Sequence, residues 1–270
     1  MTRSASEIGA GLLAARAPRH IAAGERIHVI GAGGAGASAA ALLAHHAGAL
    51  VSCCDAGDGS AYTAALEAAG IPMEEGHSPA HVAGIDRIAV TKALTAVAPE
   101  HPELVAARAA GVPLEQWQQL VADAAVGRTL VAVAGTHGKS TTAGWLVDLL
   151  VRDGRDPSAF VGALLPAALT GGVPATARLG RGDAFVVEAD EYAGNFDAYL
   201  PDVALLLNAE WDHPDVFADE AAVLDAFEAW LRRAPAGGRR RTLVANVAAF
   251  AVALGPAVAV GGRATPAGGG

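Results

Sequence analysis

Short apolar runs alternate with helical segments along most of this chain. Residues 26–30, 49–54, 87–91 and 112–113 read as strands. Helical segments of small or periodically apolar residues follow at about 35–46, 60–69, 102–110 and 115–123. The rhythm restarts after residue 125. Residues 129–134, 159–162, 184–189, 203–208 and 242–245 read as strands, with helices after the first of them and at 220–233. The run TLVAVA at 129–134 is apolar and rich in β-branched residues, as a strand buried on both faces requires. Strand–helix–strand order implies a parallel sheet with helices outside it.

The expected fold class is therefore α/β. A Rossmann-like N-terminal parallel-sheet domain is assigned to residues 26–125, and a central domain containing a phosphate-binding loop (P-loop) to residues 126–260. Residues 1–25 read as a flexible leader, with an amphipathic first helix as the alternative. The Gly/Pro/Ala-rich stretch 165–181 reads as a loop, 235–241 as a solvated basic turn, and 261–270 as a disordered tail.

Composition narrows the function classes. The 270 residues allow about two domains, and 52% hydrophobic content supplies a sizeable core. No apolar run reaches the roughly 18 residues of a membrane helix, and the first 20 residues are too broken for a secretory signal. A cytoplasmic protein without membrane insertion is expected. The formal net charge of −9 argues against a nucleic-acid partner. Cys53 and Cys54 are adjacent and show no metal-ligand spacing, so structural burial is expected.

Two glycine-rich turns carry the candidate chemistry. The first is Gly31, Ala32, Gly33, Gly34, Ala35 and Gly36, a G-x-G-x-x-G between a strand and a helix, with Asp55 at the end of the next strand. Glycine permits the tight turn and close approach to a pyrophosphate, and the acid can take a ribose hydroxyl. The pattern suits NAD, another nucleotide diphosphate, or helix packing alone. The second turn is Gly135, Thr136, His137, Gly138, Lys139, Ser140 and Thr141. Strand, glycine turn, lysine, hydroxyl and helix form a phosphate loop, with Lys139 reaching the outer phosphates of a nucleotide and Ser140 holding Mg²⁺. Val133 stands where the usual spacing has glycine. A glycine turn with one surface lysine is the plainer alternative, weakened because the chain has only two lysines, Lys92 and Lys139.

Two acidic clusters follow later strands. One runs Glu188, Ala189, Asp190, Glu191, Tyr192, and the other runs from Asn208 through Glu210, Asp212 and His213 to Asp215. Both sit at carboxyl ends of expected strands, the ligand-binding edge of an open α/β sheet. Carboxylates beside phosphate oxygens suit Mg²⁺. A solvated acidic loop is the alternative, and Tyr192 and Trp211 read as packing residues.

GTHGKST, EADEYAGNF and NAEWDHPDVF, in this order and spacing, resemble the Mur ligases. HVIGAGGAGAS and GHSPAHV are similar to the family's nucleotide-sugar loop and later Gly-His turn. The resemblance covers about residues 26–260 and implies a central Mur ligase domain that is incomplete by residue 270. It is strongest to the branch that joins L-alanine to UDP-N-acetylmuramate at the expense of ATP. A recycling branch that attaches a tripeptide is the alternative. The resemblance implies that Gly31, Ala32, Gly33, Gly34, Ala35, Gly36, Ser38, Asp55 and His77 contact UDP-N-acetylmuramate. It implies that Gly135 through Thr141 bind ATP, and that Lys139, Glu188 and His213 carry catalysis. Ser140 with Glu188 would hold one Mg²⁺, and Glu188 with His213 a second. The family's third domain supplies amino-acid contacts and has no counterpart before Gly270. Little activity is therefore expected of this stretch alone, and a non-catalytic nucleotide-binding fragment is a further alternative. An NAD-dependent oxidoreductase is argued against by the phosphate loop and the acidic clusters together. Neither the added amino acid nor the oligomeric state is legible.

Overall fold

The alternating runs fold into two sheets whose glycine-rich turns both leave the carboxyl ends of strands. The computed structural model describes residues 8–57, 59–233 and 241–246. The first sheet contains β1 (Arg26–Ile30), β2 (Leu50–Asp55), β3 (Met73–Glu75), β4 (Arg87–Val90) and β5 (Leu114–Gln116). Its order is β3-β2-β1-β4-β5, and every pairing is parallel. The strand order reverses at β1, which opens a crevice after its carboxyl end, where Gly31 begins the first glycine turn. The helices are α1 (Ala35–His46), α2 (Ala64–Ala68), α3 (Lys92–Val97), α4 (Pro102–Ala110) and α5 (Trp117–Ala124), with a 3₁₀ turn at Pro79–Val82.

The second sheet contains β6 (Thr129–Ala134), β7 (Ser158–Leu165), β8 (Ala175–Arg178), β9 (Ala184–Ala189), β10 (Val203–Leu206) and β11 (Thr242–Ala245). Its order is β11-β10-β6-β9-β7-β8, parallel except for β7 with β8. Helix α6 (Lys139–Arg152) follows the phosphate loop, α7 (Ala167–Thr170) precedes β8, and α8 (Glu220–Arg232) precedes β11. A 3₁₀ segment covers Tyr192–Ala198. In register, Val133 of β6 lies beside Glu188 of β9, and Ala134 lies beside Leu206 of β10. The turns after these three strands therefore emerge side by side.

Helix α1 explains how the sheets meet. Every residue from Ala37 to Ala44 is buried, so the helix has no solvent face. One side packs on the first sheet and α5, and the other on β7 and β8. Its alanines allow the close approach. The same packing corrects the expected loop at 165–181. Ala175, Thr176 and Ala177 are buried beneath α1, and their backbone pairs with β7 as a hairpin strand. Small residues hid this strand from a hydrophobic-pattern reading.

The described part of the expected leader, residues 8–25, forms neither helix nor strand, yet it is held in place. Leu13 N donates to Leu114 O at 2.8 Å. The Arg16 guanidinium spans Glu115 and Asp123, each at 2.8 Å. Arg87 is 2% exposed and joins the same two carboxylates. Arg241, expected in a solvated turn, donates instead to Pro201 O at 3.0 Å and Arg233 O at 2.7 Å. The rest of that turn and the expected tail lie outside the described residues. Among the described residues, no helix is long and apolar enough to cross a membrane.

Candidate nucleotide and metal site

The phosphate loop is shaped by its neighbours after β10. Gly135 has φ +138°, and a Cβ there would stand 3.0 Å from Asn208 backbone atoms, so a side chain is excluded. The Thr136 hydroxyl donates to Glu210 O at 2.8 Å and accepts from Glu210 N at 3.0 Å. His137 N donates to Asn208 Oδ1 at 2.8 Å, and Asn208 Nδ2 donates back to His137 O at 3.0 Å. These reciprocal bonds hold the loop without using the first N–H groups of α6. Gly138, at φ +81°, starts that helix with no side-chain cap. Lys139, Ser140 and Thr141 make its first turn, where the helix dipole favours an anion.

The carboxylates divide into two groups. Glu188 Oε1 accepts from the Ser140 hydroxyl at 3.1 Å, and Oε2 accepts from Gly162 N at 2.7 Å. Glu191 is 1% exposed. Its Oε2 accepts from Lys139 Nζ at 3.0 Å. Its Oε1 is buried without a hydrogen-bond partner and faces His213 Nε2 at 3.8 Å. Asp190 Oδ1 lies 3.8 Å from Lys139 Nζ. Donor atoms of Asp190, Glu191 and His213 lie within 4.8 Å of one another. Burial pushes the Glu191 pKa above the ordinary carboxylate range, although Lys139 opposes the shift.

His213 is thus grouped with Glu191 and Asp190, in addition to the pairing with Glu188 that the resemblance implies. Its backbone sits at φ +55°, an uncommon conformation for a residue with a side chain. Its ring meets Tyr192 edge-on at 4.9 Å, and the Tyr192 hydroxyl donates to Asp215 at 2.9 Å. The local sequence does not separate Glu191 from the acids beside it. Only its burial beside Lys139 singles it out. The fit to a hard cation rests on the partnerless Glu191 oxygen and on the Ser140–Glu188 pair, which are oxygen donors beside an anion-favouring helix end.

The first glycine turn is organised by Asp55. Its Oδ2 accepts from Gly33 N at 2.9 Å, and Oδ1 accepts from Gly57 N at 3.0 Å. A Cβ on Gly33 would lie 2.7 Å from that carboxylate. Gly31 N and Ala32 N both donate to Cys54 O. Gly34 and Ala35 lead into α1, and Gly36 packs on Trp117, where a Cβ would stand 2.2 Å from the indole. Ser38 departs from its expected role at this turn. It is 1% exposed, its hydroxyl donates to Ala35 O and meets Thr176 Oγ1 at 3.3 Å, and it faces the second sheet. His77 stands beside Glu103, with Nδ1 3.5 Å from Oε2. Its neighbour Gly76 N donates to Asp55 O at 2.7 Å.

One cavity of about 210 Å³ lies between α1 and the carboxyl end of β9. It is lined by Gly36 and Trp117 from the first sheet's side, and by Phe160, Glu188, Asp190 and Asn195 from the second. The last glycine of the first turn and the Glu188 that accepts from Ser140 therefore line one space.

Comparisons with known proteins bear on the family. A family model described as "Mur ligase family, catalytic domain" matches residues 26–129. The chain is 42% identical over 221 residues to UDP-N-acetylmuramate–L-alanine ligase of Frankia casuarinae, covering 80% of this chain and 42% of that relative. The chain thus spans well under half the length of such curated relatives. Among solved structures, it matches UDP-N-acetylmuramate:L-alanyl-gamma-D-glutamyl-meso-diaminopimelate ligase from Neisseria meningitides with a TM-score of 0.71 and 31% identity, over 83% of this chain and 72% of that one. It matches UDP-N-acetylmuramate-alanine ligase from Thermotoga maritima with a TM-score of 0.71 and 28% identity, over 84% and 50% respectively. With its α/β sheets, its paired glycine turns and these relatives together, the chain belongs to the Mur ligase family.

Proposed function

We propose that this chain forms the nucleotide-sugar-binding and ATP-binding parts of a cytoplasmic ligase that joins L-alanine to UDP-N-acetylmuramate in peptidoglycan precursor synthesis. The observation that carries the reading is the shared cavity, which has the diphosphate-type turn at Gly36 on one side and Glu188 of the phosphate-loop site on the other. A ligase that activates a carboxylate with ATP needs both substrates at one opening.

The chemistry follows from the side chains. The substrate carboxylate attacks the γ-phosphorus of ATP, forming an O–P bond as the bond to ADP breaks. The amine of L-alanine then attacks the acyl carbon, phosphate leaves, and the amine loses a proton. Lys139 and the first N–H groups of α6 face the charge that builds on the transferred phosphoryl group. Ser140 with Glu188, and the group Asp190, Glu191 and His213, would hold Mg²⁺, which when bound neutralises phosphate charge. Asp55 and the glycine turn would hold the diphosphate and ribose end of UDP-N-acetylmuramate. The curated relatives carry the alanine-adding name, which favours alanine over a tripeptide as the incoming amine.

The test is ligand-detected NMR of this chain with UDP-N-acetylmuramate and with NAD. Saturable binding of the UDP-sugar in preference to NAD is expected. Saturable NAD binding without UDP-sugar binding would overturn the reading.

A further inference from the structure

A second cluster of donor atoms lies outside that cavity, on one face of the first sheet. In the β1–β2 register, His28 stands opposite Ser52, and Ile30 opposite Cys54. Strand alternation therefore places His28, Ser52 and Cys54 on one face and Cys53 on the other, with the two cysteines in different cores. Glu103, in the first turn of α4, and His81, in the 3₁₀ turn Pro79–Val82, meet over the same face. His28, Cys54 and Glu103 are each no more than 1% exposed.

The donor atoms of these residues converge. Cys54 Sγ lies 3.3 Å from His28 Nε2 and 3.3 Å from each Glu103 oxygen. Glu103 Oε1 lies 3.9 Å from His28 Nε2 and 2.5 Å from His81 Nδ1. One donor atom from each of the four residues lies within 4.8 Å of the others. We propose that His28, Cys54, His81 and Glu103 bind one zinc-class divalent transition-metal ion.

Tetrahedral zinc with bonds of about 2.0–2.3 Å has donor–donor edges of roughly 3.3–3.7 Å. The Cys54 contacts fall at that edge length, and the His28–Glu103 separation lies slightly beyond it. The His81–Glu103 contact is the one that lengthens on loading. The donor chemistry agrees. His28 Nδ1 shares a hydrogen bond with Ser52 Oγ at 2.8 Å, the outer partner that orients a metal-bound imidazole. Loading forms a metal–sulfur bond and releases the Cys54 proton to solvent. The thiolate and the Glu103 carboxylate then balance the dication, so no net charge is buried.

A hydrogen-bond network around Glu103 would need neither a thiol nor several imidazoles. His77 Nδ1 also lies 3.3 Å from Cys54 Sγ. His101 packs edge-on against His77 at 4.4 Å, and both of its ring nitrogens are buried without hydrogen-bond partners. The His77 and His81 side chains, 21% and 17% exposed, mark the way in. Four protein donors leave no open position, so the ion is structural. It would pin α4 and the 3₁₀ turn to β2. The Cys54 carbonyl holds Gly31 N at 2.9 Å and Ala32 N at 3.1 Å, so the first glycine turn would be steadied as well.

The test is titration of the metal-free 270-residue chain with Co²⁺, followed by absorption, and then with Zn²⁺. We expect a sulfur-to-cobalt charge-transfer band in the near ultraviolet that saturates at one equivalent of thiolate-bound Co²⁺, and loss of the band when Zn²⁺ displaces cobalt. Cys54→Ser should abolish the band, and Cys53→Ser should keep it. His81→Gln, at the rim, should weaken binding by at least the roughly 10-fold that even outer partners contribute. Zn²⁺ should raise the melting temperature of the wild type and not of His81→Gln, a comparison that holds even if Cys54→Ser does not fold. Absence of the band, its survival in Cys54→Ser, or equal melting shifts in wild type and His81→Gln would overturn the proposal.

Discussion

Lys139 Nζ lies 3.0 Å from Glu191 Oε2, and that carboxylate is 1% exposed. The lysine proposed to meet a nucleotide's phosphates is thus held by a buried acid whose other oxygen faces His213. On the proposed function, a bound nucleotide would draw Lys139 forward, and a cation near Glu191 would then replace the charge the lysine withdraws. The two residues form one electrostatic unit in which each partner's removal exposes the other.

Lys139→Ala should lower Mg-ATP affinity by at least roughly tenfold, about 1.4 kcal/mol. It should also destabilise the fold, because it leaves a buried carboxylate unpaired. Adding Glu191→Gln should restore much of the stability and none of the affinity. Calorimetric titration and urea denaturation of the two single variants and the double variant separate these effects. Equal ATP binding by wild type and Lys139→Ala would remove the phosphate-loop assignment.

Mg-ATP binding should tighten as pH rises through the raised Glu191 pKa. Burial favours the protonated acid in the folded protein. Above the ordinary Glu value of about 4.3, the folded state therefore binds more protons than the unfolded state, and stability from this group falls with pH until its folded pKa is passed. A bound cation favours the carboxylate and displaces the proton. Titrations at several pH values should show proton release in the wild type, and Glu191→Gln should flatten that dependence.

Gly36→Ala should destabilise the chain by about 1–3 kcal/mol, the usual result of overpacking. Its Cβ would stand 2.2 Å from the Trp117 indole, which itself packs edge-on against Phe160 at 5.1 Å. Because both rings line the shared cavity, UDP-sugar binding should weaken too. Denaturation and ligand titration of the one variant read both effects. Unchanged stability would show that Trp117 is free to move aside.

Asp123→Asn should cost about 3–5 kcal/mol, as breaking a buried ion pair does. Asp123 is 2% exposed, accepts from Arg87 at 2.6 Å and from Arg16 at 2.8 Å, and anchors Arg19 N at 3.0 Å. The loss should be accompanied by faster amide exchange at Leu13 and Arg19, because the same carboxylate secures the segment before β1. Slow exchange in a destabilised variant would show that this segment is held independently.

The sequence by itself determined the α/β class and the places where chemistry begins. Uninterrupted apolar runs specify strands buried on both faces, and glycine followed by lysine and a hydroxyl specifies a phosphate turn, because those demands are local. Helix α4 was legible at Pro102–Ala110 for the same reason, with proline at its start and glycine after its end. Only tertiary structure decided which acid serves which partner. Glu188, Asp190 and Glu191 are near neighbours in sequence, but a strand end and a 3₁₀ turn send Glu188 to Ser140 and Glu191 to Lys139 and His213. Ser38 reads as part of the first glycine turn, but packing beneath the second sheet buries its hydroxyl between Ala35 O and Thr176. Cys54 showed no ligand spacing, because His28, His81 and Glu103 reach it from three other elements, brought together by strand register and helix packing that no local pattern encodes.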